Sequence, residues 1–400
     1  MFEINAWAAI GFVLAAYAVV GNDALQTLGT FITSNGRLHW SVLFGFAALI
    51  LVATFTYGYC QSYGELVDAS GQVLSGVGDP SFGRLDNVKK YPVFDVQWYH
   101  TVPALGLLIL TRFGVPVSTS FMVLAVFASI EGLTSMIKKS LLGYGLAFAL
   151  GLGLYLILAK TVEKHFSANG HAQNRKRWVL LQWTSTTWLW SVWLMQDFAN
   201  IFVFLPRQLQ PMEAIAGLAV ILVLLAITFA NRGGPVQKVL KSKTSVTDIR
   251  SATIIDFLFA GLLYYFKERS KIPMSTTWVF LGLIAGREYA FAMMGRKTTL
   301  LNVSRIALSD LAKATIGLVV SIDMARGLPW IAEGLEGGAG AFALVSLHGG
   351  NSSTLAFLVA SNALLIPCGL FLMRPSRMQT WVLAGSMATA AVAFLGIAIR

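Results

Sequence analysis

The chain has 400 residues, 56% hydrophobic and only 12% charged, with a mean hydropathy of +0.66. Soluble domains carry about a quarter charged residues, so this balance points to a polytopic membrane protein with the lipid bilayer as its solvent. The net charge of +11 does not argue for a nucleic-acid partner, because the bases lie in short loops between apolar runs and no basic soluble domain carries them.

Along the chain, apolar stretches fall near 5–33, 39–59, 96–111, 116–133 and 140–159. The first lacks the positive n-region of a cleavable signal and reads as a retained helix. The polar stretch 160–177 follows, then apolar runs near 178–204, 211–230, 253–266, 273–294 and 306–325. Residues 339–373 and 380–398 are also apolar, with a break at Gly349-Gly350-Asn351-Ser352-Ser353. A spanning helix needs roughly 20 residues, and several of these runs are shorter or interrupted. The expectation is an all-α polytopic membrane protein with about 10–12 transmembrane segments, some of them discontinuous or re-entrant helices.

Two sets of five runs correspond. Setting Pro116 on Pro273 matches Ser118 with Ser275, Thr119 with Thr276, Leu124 with Leu281, Ala128 with Ala285 and Glu131 with Glu288, without a gap. Asp23 likewise falls on Asp197 within its cluster. Residues 1–159 then form a first transmembrane repeat with an extramembrane insertion at 60–95, and 178–325 form a second. Residues 160–177 are a basic linker, expected in the cytoplasm, and 326–400 are C-terminal transmembrane segments. Five crossings, an odd number, put the second half in inverted topology, a common arrangement in secondary transporters. An even number would make the repeats parallel.

The chemistry-bearing residues recur in both halves. Asn22, Asp23 and Gln26 form one cluster, and Gln196, Asp197 and Asn200 the other. Carboxylates and amides are costly at membrane depth, and together they suit a hard cation such as Na+. A proton-coupled reading needs the same carboxylates. Ser118, Thr119 and Ser120 follow Pro116-Val117, and Ser275, Thr276 and Thr277 follow Pro273-Met274. Proline and hydroxyls at a helix start offer donors and free N–H groups to an anion. The bland alternative is hydroxyls that back-bond to carbonyls or glue helices together. Glu131, Glu288 and Arg287 are candidates for outer or gating groups. Cys60 and Cys368 imply no disulfide framework, and the five histidines show no ligand spacing.

These motifs resemble those of the inorganic phosphate transporter (PiT) family of sodium- or proton-coupled phosphate symporters. That family carries twice a Gly-Ala-Asn-Asp-Val-Ala-Asn type signature and a later Pro-Val-Ser-Thr-Thr segment. Here Gly21-Asn22-Asp23-Ala24-Leu25-Gln26 and Gln196-Asp197-Phe198-Ala199-Asn200 stand for the first, and the two Pro-x-Ser-Thr segments for the second. The resemblance covers roughly 5–325 as an arrangement and closely only the motifs. It implies that Asp23, Asp197 and the six hydroxyls hold phosphate and its coupling cations between inverted repeats.

Each half departs by keeping one Asn and one Gln in exchanged places, and Phe121 and Trp278 stand where the family often has histidine. The expected function is therefore non-enzymatic symport of phosphate with Na+, or H+ in its place, by alternating access, in a cell (inner) membrane. No cofactor is expected beyond the coupling ion, and a homodimer stays open. Another oxyanion such as sulfate, an ion channel and a membrane-embedded enzyme are the alternatives.

Overall fold

A computed structural model of the chain describes residues 4–63, 76–112, 117–158, 175–231, 249–269, 271, 273–295, 299–337, 362–373, 383 and 386. The described residues are helical with connecting turns and a single isolated β-bridge, and carry no strand. In chain order the helices are α1 (Ala6–Ala18), a π-helical turn (Val19–Asp23), α2 (Ala24–Ser34), α3 (Trp40–Ser62), α4 (Trp98–Arg112), α5 (Thr119–Leu124) and α6 (Ile130–Leu158). They continue with α7 (Arg175–Phe202), α8 (Pro211–Ala230), α9 (Ile249–Arg269), α10 (Thr276–Met293), α11 (Leu300–Gly337) and α12 (Leu365–Met373).

Ala6–Asp23, Trp40–Ser62, Ile130–Ile157 and Pro211–Ala230 are long and apolar enough to cross a bilayer. Their outward faces are apolar too: Leu49 is 70% exposed, Ile157 64% and Val223 59%. Apolar side chains turned outward along spanning helices fit a hydrocarbon surround, and the chain is an all-α integral membrane protein. Most of the linker 160–177 lies outside the described residues, as do most of the C-terminal runs.

Small residues let helices approach. On α10, Gly282-x-x-x-Gly286 faces α6, and a Cβ at either glycine would overlap a backbone carbonyl, of Tyr144 or Phe148 respectively. On α6, a Cβ at Gly151 would stand 2.5 Å from the carbonyl of Leu283. Backbone-to-backbone contact of this kind suits membrane helices, whose association gains little from hydrophobicity. Two tryptophans of α7 pack inside. Trp190 and Trp193 are both buried and stack at 4.9 Å, and the Trp190 indole N–H donates to the carbonyl of Ala47 at 3.0 Å.

The two Pro-x-Ser-Thr segments open different helices. α10 runs 18 residues, whereas α5 runs only six before a turn at 125–129 leads into α6. The ungapped matching beyond the hydroxyls is therefore not structural. Glu131 sits in the first turn of α6 and Glu288 far along α10.

Residues 76–97 fold back onto the helices. Gly78 and Leu209 exchange backbone hydrogen bonds of 3.1 and 3.0 Å, and the Tyr59 hydroxyl donates to the Leu209 carbonyl at 3.0 Å. Asp79 organises the turn, accepting from the Ser81 N–H (2.8 Å), the Ser81 hydroxyl (2.7 Å) and the Gly83 N–H (3.0 Å). Burial still pushes the Asp79 carboxyl above its usual range. Phe82 and Gly83 both have positive φ, 60° and 66°, and the non-glycine is held there against its preference.

Candidate functional site

The first polar cluster sits where α1 and α2 meet. The π-helical turn interrupts a helical run that would otherwise be continuous from Ala6 to Ser34, and such turns concentrate at functional positions. Asn22 and Asp23 are both buried. The Asn22 amide donates to Asp23 Oδ1 at 2.8 Å and weakly to the Val117 carbonyl at 3.4 Å. The Thr27 hydroxyl donates to the Asp23 carbonyl at 2.8 Å. Asp23 Oδ2 is buried with no hydrogen-bond partner. The Gln26 side chain lies outside the described residues.

The second cluster is carried by the last two turns of α7. Asp197 and Asn200 are one helical turn apart, so they share a face, and the Asn200 amide donates to Asp197 Oδ1. The same amide donates to the Ser120 hydroxyl at 3.2 Å, and that hydroxyl donates to the Met274 carbonyl at 3.0 Å. Ser120 thus ties the first hydroxyl segment to α7 and to the second hydroxyl segment. The Gln196 amide donates to the Leu263 carbonyl of α9 at 3.2 Å. Gln196 Oε1, Asp197 Oδ2 and Asn200 Oδ1 are buried without partners.

The six predicted hydroxyls divide by task. Ser118 and Ser275 are helix N-caps, accepting from the N–H of Phe121 at 3.3 Å and of Trp278 at 3.2 Å. The Ser275 N–H in turn donates to the Ser140 hydroxyl of α6 at 2.9 Å. Thr119 stands beside Asp23, and Thr276 beside Asp197. The hydroxyls of Thr119 and Thr277 are buried without a formed hydrogen bond.

Asp23 and Asp197 lie within electrostatic range of each other. Two buried carboxylates at close range repel in low dielectric, and a cation held between them removes that cost. Asp23, Asp197, Asn200, Gln196, Thr119 and Thr277 each leave a buried oxygen unpartnered, and Arg84, in electrostatic range of Asp197, leaves Nη1 unpartnered. An unsatisfied buried neutral polar group costs about 1–3 kcal/mol, and an uncompensated charge more. A set of oxygens with two carboxylates matches the preference of a hard cation, not of a soft metal. Among the described residues no group of three His, Cys, Asp or Glu side chains is arranged for a metal ion.

Glu131, Glu288 and Arg287 are not brought to this cluster by any hydrogen bond or ion pair among the described residues. Glu131 is 64% exposed and pairs with Lys90 at 3.6 Å. Arg287 pairs with its neighbour Glu288 at 2.7 Å and packs over the rings of Phe291 (4.8 Å) and Tyr155 (5.6 Å). Both arrangements are local.

Two features have a part in the structure that the sequence reading did not give them. Asp256 of α9 accepts from Thr30 of α2 at 2.9 Å and from Thr186 of α7 at 3.0 Å, joining three helices through one carboxylate. Next to it, Gln182 bridges Ser34 (2.5 Å) and Asn35 (3.1 Å). The second feature is Arg84, from the segment between α3 and α4. It is 3% exposed, and its Nε donates to the carbonyl of Met195, two residues before Asp197. Its position between Phe82 and Leu85, after the turn-forming Asp79-Pro80-Ser81, was the available signal that this stretch folds inward.

Comparison with protein-family models, with curated proteins and with solved structures gave no match to this chain.

Proposed function

We propose that this protein is a secondary symporter that moves inorganic phosphate with Na+ by alternating access, and that it is a divergent member of the PiT family. The observation that carries the reading is the single buried cluster formed by Asp23 and Asp197, whose unpartnered oxygens come from matched motifs of two chain halves. Asp23, Asp197, Asn22, Asn200 and Gln196 hold the coupling cation, and Gln26 is assigned with them from its place in the signature. The hydroxyls of Thr119, Thr276 and Thr277, with Ser120, face the anion, while Ser118 and Ser275 fix the helix starts that present them.

The resemblance favours phosphate; chemistry favours it over sulfate only where the anion touches an aspartate directly, and aspartates used only for the cation leave sulfate open. Hydrogen phosphate carries a proton it can donate to an aspartate, and sulfate at neutral pH does not. The halves are inverted repeats of five segments within 10–12 crossings, and the short α5 with its following turn is the discontinuous element of the first half. The aspartates also suit H+ coupling, and the cation dependence of uptake separates the two drivers.

The test is uptake of radiolabelled phosphate by purified protein in proteoliposomes, under an inward Na+ gradient, an inward H+ gradient or neither. Saturable uptake that requires the Na+ gradient, and that unlabelled phosphate competes better than sulfate, molybdate or bicarbonate, is the expected result. Uptake of none of these oxyanions under either gradient removes the reading.

A further inference from the structure

Among the described residues Arg84 is the one buried guanidinium in electrostatic range of the acidic cluster, and its surroundings are unusual for a structural arginine. Its Nε is fixed on the Met195 carbonyl at 2.7 Å, yet Nη1 is buried without a hydrogen-bond partner. Asp197 acts on Arg84 electrostatically. Arg84 nevertheless forms no ion pair with either carboxylate within 4 Å. Tyr91, from the same segment, lies within range of Arg84, and its buried hydroxyl also has no partner. Lys139 of α6, buried as well, lies in electrostatic range of Arg84 and adds positive potential.

Burial pulls the Arg84 pKa down to about 10, with Asp197 opposing, so the group is charged at neutral pH. An arginine that is charged, buried and fastened only by its Nε holds the rest of its planar fork for an acceptor that can take parallel N–H bonds. A carboxylate within range but not in contact leaves room for each charge to meet a ligand of its own. For Asp197 that ligand is a cation, and for Arg84 it is an anion.

We propose that Arg84, with the Tyr91 hydroxyl, is a binding residue for the transported oxyanion, delivered into the site by the segment between α3 and α4. The assignment rests on the symport reading above and adds a positive pole that the repeated motifs do not contain. The connection at the corresponding place of the second half, between α8 and α9, is shorter, so the anion is held off-centre, toward the side from which residues 76–97 enter. Phosphate bound there meets Arg84 on one side and the cation held by the aspartates on the other.

Equilibrium binding of inorganic phosphate to detergent-purified protein in saturating Na+ tests this, with Na+ binding followed separately by thermal shift. Arg84→Gln is expected to weaken phosphate binding by about tenfold or more, the loss of a charge-assisted hydrogen-bond pair. Arg84→Lys, which keeps the charge without the fork, is expected to fall between wild type and Arg84→Gln. Tyr91→Phe is expected to weaken phosphate binding by about threefold and leave Na+ binding unchanged. If Arg84 serves only as a counter-charge to Asp197, Arg84→Gln will tighten Na+ binding and leave phosphate affinity as in wild type, which overturns the proposal.

Should Arg84→Gln not yield monodisperse protein, wild-type phosphate affinity in both Arg84→Lys and Tyr91→Phe overturns it equally. A wild-type protein that binds no phosphate instead removes the symport reading itself, and the role given to Arg84 with it.

Discussion

The two aspartate clusters reach one site by different backbone routes. Asp23 stands at a π-helical turn, where the helix of the first half is interrupted and Thr27 satisfies the Asp23 carbonyl. Asp197 stands in the regular helix α7, and Asn200 supports it from the next turn. The amide partner of Asp23 is its immediate neighbour Asn22, on a backbone widened enough to let successive residues share a side. The amide partner of Asp197 is three residues on, where an ordinary helix puts it. Matched motifs therefore converge on matched chemistry without matched geometry, and the first half depends on an irregular backbone in a way the second does not.

The sharpest way to break that comparison is to neutralise each carboxylate in turn. Asp23→Asn and Asp197→Asn are each expected to abolish Na+-driven phosphate uptake in proteoliposomes. Losing one charged partner of a desolvated cation costs about 2–5 kcal/mol, at least about thirtyfold in affinity. Normal uptake by both variants would show that the cluster is not the transport site.

Smaller in effect is the helix pair behind the second hydroxyl segment. Gly286→Ala puts a methyl group onto the Phe148 carbonyl and is expected to destabilise the protein by about 1–3 kcal/mol, read as a lower Tm in detergent. Gly153→Ala on α6, where a Cβ meets nothing within 4 Å, is expected to leave Tm unchanged.

The amides come next. Asn200→Ala removes both the Asp197 support and the tie to Ser120, and is expected to lower stability by about 1–3 kcal/mol as well as impair uptake. Asn22→Ala loses one good bond and one long one, and is expected to impair uptake with the smaller change in Tm. The reverse order would mean that the π-helical turn, not α7, is the principal support of the site.

The caps give the smallest effect. Ser118→Ala and Ser275→Ala are each expected to cost about 0.5–2 kcal/mol. Ser118→Ala should be the larger, because α5 has six residues to hold it and α10 has 18. Equal shifts in Tm would show that the short helix is fixed by its surroundings instead.

Much of this was legible in the sequence, where hydropathy and charge sufficed. Membrane character and the helical class follow from runs of apolar residues, and the pairing of Asp23 with Asp197 from a repeated polar motif inside them. What failed was register carried past the motif. Glu131 and Glu288 match letter for letter, but the turn at 125–129 ends α5 while α10 continues, so equal spacing from a proline does not mean equal place.

The six hydroxyls looked equivalent because spacing alone cannot tell a cap from a ligand. That distinction depends on which N–H the side chain meets. Arg84 was overlooked for another reason, although Phe82 and Leu85 flank it. It lies in a stretch rich in Gly, Ser and Asp that reads as an exposed loop, and only the fold brings it against Met195.

The Gly78–Leu209 bridge has a consequence for mechanics. Its two backbone bonds fasten the segment after α3 to the connection between α7 and α8, and the Tyr59 hydroxyl fastens α3 itself to the same Leu209 carbonyl. Arg84 adds a third fastening, onto α7 itself. In any rocking of one part of the protein against another, this piece of the first half rides with the second. Under the proposed alternating access, the boundary between moving bodies then cuts across the boundary between the proposed repeats. A cysteine pair at positions 78 and 209 would lock a contact that such rigid-body motion already preserves.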